Sequence, residues 1–116
     1  MHVVKKMENV AVVTVDPALS LGDKEQIESL KQLCADLQAD GYARLVLDMS
    51  EVGHAPSLVL GNIIVLHKRI RMRDGEVVIL NPSPVLKRIL SVTKMDKILR
   101  IYEDEAQAVR ALAGRA

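Results

Sequence analysis

Apolar residues along the chain fall into two kinds of pattern, short β-branched runs and longer stretches at helical spacing, and the two alternate. Val3-Val4 and then Val10-Ala-Val-Val-Thr-Val15, separated by polar Lys5 to Asn9, predict an N-terminal β-hairpin. Asp16-Pro17 ends its second strand. Asp23 with Gln26 three residues on reads as a capping box. Ile27, Leu30, Leu33, Cys34 and Leu37 then recur on one helical face until Asp40-Gly41 stops the helix. Residues 44–48 and 76–80 are continuous apolar runs, the mark of strands buried on both faces. Between them a helix is expected from near Ser57 to about Arg73, closed by Asp74-Gly75. Pro82 and Pro84 open a further helix carrying Val85, Leu86, Ile89 and Leu90. Ile98 to Tyr102 reads as a last strand. Glu103 to Leu112 reads as a closing helix, with Ala106, Val109 and Leu112 inward.

A hairpin followed by alternating helices and strands predicts an α/β fold with a mixed, mostly parallel sheet covered by helices. No repeat or linker interrupts the 116 residues, which suffice for one core, so a single domain over 1–116 is expected. The chain has two Tyr and no Phe or Trp, so the core must be aliphatic and stacking platforms for single-stranded nucleic acid are missing. Sixteen basic and fifteen acidic residues leave a net charge of +1, no bulk attraction for nucleic acid or a membrane surface. The longest apolar run, Leu58 to Leu66, is broken by Gly61 and Asn62 and is too short to span a bilayer. A lone Cys34 and the absence of an apolar signal-like segment in residues 1–6 point to the cytoplasm.

Chemistry is sparse. His2, His54 and His67 are isolated, without metal-ligand spacing, and are expected at the surface. The glycines form no phosphate-cradling loop. Ser57 and Ser83 have no neighbouring base. Asp48 and Glu51 read as a strand-end acid and a loop acid. The expectation is a protein that is not an enzyme and takes no cofactor or metal.

The helix after Ser57 is the feature that asks for a function. Val59, Ile63, Leu66 and Ile70 make one stripe, enough to cover a sheet. Leu58, Gly61, Val65 and Met72 fall on the other side, with Leu60 and Ile64 flanking them, where a surface helix should be polar. Either the helix is buried on both sides or this face docks a protein; in so small a domain the docking face is the expectation, and Gly61 would allow close approach. The basic run His67-Lys-Arg-Ile-Arg-Met-Arg73 reads as a solvated last turn opposing the helix dipole.

Three segments carry a family resemblance: Leu45-Val-Leu-Asp-Met-Ser-Glu-Val52, Val78-Ile-Leu-Asn-Pro-Ser-Pro-Val85, and Leu90-Ser-Val-Thr-Lys-Met-Asp-Lys-Ile-Leu-Arg-Ile-Tyr102 followed by Glu103-Asp-Glu-Ala106. Together they resemble the STAS domain of the anti-sigma-factor antagonist type. The resemblance implies a protein partner, often a GHKL-type serine kinase that is also an anti-sigma factor, released when one Ser or Thr is phosphorylated at the start of the helix after the third strand. Ser57 stands at that acceptor position, and Leu60-Gly61 keeps the following pair. The family's Asp, second hydroxyl residue and Gly are here Pro56, Leu58 and Val59, and Lys94 stands where the family usually has Gly.

The resulting expectation is a partner-switching regulator that docks through Ser57, Leu58, Leu60, Gly61, Ile64 and Val65, with His54 and Pro56 at the rim. Ser57 is either the phosphoacceptor or a cap or first-turn serine that explains itself by stability, about 1 kcal/mol. A homodimer through the same face is equally compatible. The alternatives are a constitutive adaptor of a lipid-transport ABC system and a small-ligand or nucleotide sensor.

Overall fold

The computed structural model describes residues 2–113. Its elements run β1 (Val3–Met7), β2 (Val10–Thr14), α1 (Lys24–Ala39), β3 (Arg44–Asp48), α2 (Ser57–Arg71), β4 (Glu76–Leu80), α3 (Pro84–Val92), β5 (Ile101–Tyr102) and α4 (Glu105–Ala113). A 3₁₀ turn, Pro17–Leu21, links β2 to α1, and a second, Met95–Lys97, precedes β5.

The sheet order is β1-β2-β3-β4-β5, with β1 antiparallel to β2 and every other pair parallel. Strands laid down in sequence order advance one way across the sheet. Right-handed crossovers then place the connecting helices on the same face. Side-chain alternation matches this. Ala11, Leu45 and Val77 stand in register, as do Val13, Leu47 and Ile79, and all six join the core cluster that holds α1, α2 and α3. Val12, Val46 and Val78, one residue out of phase, pack with Val10 and Leu80 under Ala108 and Leu112 of α4. This explains why β3 and β4 read as unbroken apolar runs.

Most boundaries follow the sequence pattern. Asp23 caps α1 by accepting from the Glu25 N–H at 2.9 Å; no reciprocal Gln26 side-chain bond forms among the described residues, so only half of the expected capping box is made. The predicted strand at Ile98–Tyr102 shrinks to Ile101–Tyr102. Backbone bonds from Ile98 and Leu99 back to Met95 hold that segment coiled and send Leu99 into the core while Ile98 stays exposed. The closing helix starts two residues later than expected, capped by Asp104, whose carboxylate accepts from the Ala106 N–H. Its inward residues are Ala108 and Leu112, four apart, with Val109 half-buried and Ala106 exposed.

Glu8, Asp74, Asn81 and Lys94 are the non-glycine residues with positive φ among those described. Lys94, where the family usually has Gly, adopts φ 62°, a left-handed conformation that costs a side chain about 1 kcal/mol. Gly75 closes α2 by donating its N–H to the Ile70 carbonyl at 2.9 Å. A Cβ there would lie 2.3 Å from the Ala43 carbonyl oxygen and 2.6 Å from Ile70 Cγ2. Gly75→Ala is therefore expected to lower unfolding stability by about 3 kcal/mol, read as the shift in urea midpoint.

Candidate docking face on the second helix

The approach to α2 is fixed from below. Val52 and Ala55 of the β3–α2 loop are buried, and Asp48 accepts the Ser50 N–H in a tight turn at 3.0 Å. Ser83, the N-cap of α3, accepts the Leu86 N–H at 3.1 Å and donates its hydroxyl to the Gly53 carbonyl at 2.7 Å. One hydroxyl thus starts α3 and anchors the loop leading to α2. The Pro17–Leu21 turn closes the other side, with Gly22 packed against Pro56 closely enough that an added Cβ would lie 3.4 Å from Pro56 Cγ.

Pro56 holds the N-cap position in extended conformation and offers no side-chain acceptor. Its carbonyl takes the N–H groups of Val59 and Leu60, which leaves those of Ser57 and Leu58 as the open donors at this end. Ser57 is the first helical residue and is exposed. Its hydroxyl makes no capping bond, so the cap reading of this serine does not hold, while a first-turn position does.

The outward face follows from helix geometry. Leu58 is 55% exposed and Val65 42%, and Gly61 lies between them with nothing within 4 Å of an added Cβ. His54 is exposed, and Pro56 and Ile64 are half-buried. Leu60 is a correction: it is 4% exposed and belongs to the core, so it cannot present a side chain to a partner. Leu60 and His67 sit seven residues apart, two turns of one flank, and both are buried because α2 covers β4 and also packs against α1. A shallow groove of about 230 Å³ beside Leu58, lined by Lys24, Ile27, Glu28 and Asn62, extends the face onto α1. Nothing in the one-dimensional pattern joins α1 to this face. Leu21, 82% exposed in the turn before Gly22, was likewise not singled out.

Two histidines differ from expectation. His67 is 7% exposed, and its Nδ1 has no hydrogen-bond partner among the described residues. Burial, aided by the nearby Arg71 cation, pushes its pKa below the ordinary value against the opposing pull of Glu76 and a Val77 backbone bond. His2 is also buried. Its Nδ1 is placed to accept the Asp16 N–H at 3.0 Å, a bond only an unprotonated nitrogen can make, and burial lowers its pKa as well. Cys34 is sealed in the core with its thiol pushed up to about 12, which makes it an unreactive side chain at neutral pH.

The fold is that of a STAS domain: the model of the STAS domain family matches residues 2–108, and the chain belongs to that family. It is similar to a Thermotoga neapolitana protein named "Putative anti-sigma factor antagonist TM1081 homolog", 31% identical over 75 residues, which are 65% of this chain and 66% of that protein. That match thus spans just under two thirds of the relative's own length. The NMR structure of TM1081 from Thermotoga maritima superposes with a TM-score of 0.85 at 26% identity, covering 100% of this chain and 90% of that one. Unphosphorylated SpoIIAA, an anti-sigma factor antagonist, has the same fold at a TM-score of 0.78 and 12% identity, covering 100% and 99%. No helix among the described residues is long and apolar enough to cross a membrane.

The two buried histidines set a pH dependence. Their folded pKa values lie below the unfolded value of about 6.5, so the unfolded state binds more protons as pH falls. Stability is expected to be full above that value and to decline below it. Urea midpoints from pH 8 to pH 5 check this, and His67→Leu should flatten the slope.

Proposed function

We propose that this chain is a non-enzymatic, cytoplasmic partner-switching regulator that docks a GHKL-type serine kinase acting as anti-sigma factor. The docking surface is the outward face of α2, formed by Ser57, Leu58, Gly61 and Val65, with Ile64 partly contributing and His54 and Pro56 at the rim. The observation that carries the reading is an apolar strip on an outer-layer helix, interrupted by a glycine whose missing side chain leaves a flat approach.

Ser57 is the acceptor in this reading. Its hydroxyl is exposed at a helix N-terminus, and open N–H donors beside it would stabilise an added phosphate. The phosphate's charge would then oppose an apolar partner surface, which is the physical basis for release. Pro56 supplies no carboxylate to orient the hydroxyl for a kinase. The same surface without a phosphate would serve a constitutive adaptor.

Immobilised protein should capture a GHKL-type kinase from native lysate, identified by mass spectrometry. Capture of a transporter ATPase instead would overturn this reading in favour of the adaptor. Val65→Glu and Gly61→Trp should each abolish capture, while the urea midpoint shifts by no more than about 1 kcal/mol, because both positions face solvent. Ser57→Asp should weaken the same complex at least tenfold. Unchanged affinity, with unphosphorylated Ser57 in protein isolated from the native host, would remove the switch and leave only docking.

A further inference from the structure

The far end of α2 carries a feature the docking face does not use. A groove of about 450 Å³ runs between α1 and the last turns of α2, a volume in the range of small-molecule sites. Buried Leu66 and Ile70 form its floor, and Ala35 and Met72, the latter 84% exposed, give it accessible apolar walls. The groove runs along residues 31–38 of α1 and 66–73 at the end of α2, seven helical rises each, so it is about 10 Å long.

The charge around it has one sign. Lys31, Arg69 and Arg73 line the groove and no carboxylate does. Arg71, on the same helix, is engaged with Glu76 at 3.7 Å, and Lys31 reaches Glu28 at 3.5 Å. Among the described residues Arg69 and Arg73 make no ion pair and no side-chain hydrogen bond. The turn that holds them is ordered, since the Met72 N–H bonds the Lys68 carbonyl at 3.0 Å and the Arg73 N–H bonds Ile70 at 3.1 Å. Compensation of the helix dipole explains cations at this terminus; it does not explain an apolar groove between two of them. A guanidinium recognises a carboxylate through paired N–H donors, and an aliphatic chain gains by leaving water.

We propose that this groove binds a small anionic amphiphile, an aliphatic carboxylate, with its chain between the exposed side chains of Ala35 and Met72 over a floor of Leu66 and Ile70 and its head group held by Arg69 and Arg73. The site is independent of the docking face, which begins at the opposite end of the helix.

Decanoate below its micelle concentration is the probe, titrated into the full chain and followed by amide NMR shifts and calorimetry. One saturable site is expected, with shifts confined to residues 31–38 and 66–73. Decanol, with the same chain and no charge, should bind at least tenfold more weakly. Arg69→Ala with Arg73→Ala should weaken decanoate at least tenfold while the cooperative urea transition is kept, since both side chains are exposed. Ala35→Trp should fill the groove and block it. Absence of saturation, equal binding of decanol, or an unaffected double variant would overturn the proposal.

Discussion

The structure depends on burying β2, β3 and β4 on both faces at once. Each strand contributes aliphatic residues to two clusters in strict alternation, and the parallel register aligns Ala11, Leu45 and Val77 on one side against Val12, Val46 and Val78 on the other. Neither face can meet water without exposing a row of Val and Leu. Three crossover helices close one face by the handedness of their connections, and the other face waits for α4 at the end of the chain.

The central position of α2 in that layer decides what the helix can offer. Contacts with β4 and α1 bury a wide arc that takes in Leu60 and His67 along with the expected stripe. Only a narrow strip is left outside. Because the strip begins at Ser57 and passes Gly61, the exposed hydroxyl, the open N–H donors and the flat approach all occupy one end of one helix. The loop before it is tied to the α3 cap through Ser83 and Gly53, so the two helix starts are positioned as a unit.

The two ends of α2 differ in chemistry for one reason. Helix N-termini present open donors and C-termini open carbonyls, and the chain fills the first with a serine and the second with cations. At the C-terminal end Arg71 is fixed by Glu76, while Gly75 turns the backbone so sharply that a side chain would strike Ala43. That turn sets the direction in which the chain enters β4.

Patterning alone determined the hairpin, the span of α1 apart from its half-made capping box, the limits of β3 and β4, the helix start near Ser57 and the inward stripe Val59, Ile63, Leu66 and Ile70. Each of these rests on local periodicity, which secondary structure obeys directly. The family resemblance added that Ser57 stands at the acceptor position. Tertiary structure decided the rest. It buried His2, His67 and Leu60, because how much of a helix is covered depends on its neighbours and not on its own spacing. It shortened the last strand, because Leu99 is drawn into a core built by distant residues. It also brought Lys24 and Glu28 beside Leu58, and Lys31 beside Arg69 and Arg73. The distance along the chain between those partners carries no signal, and only the packing of α1 on α2 makes them neighbours.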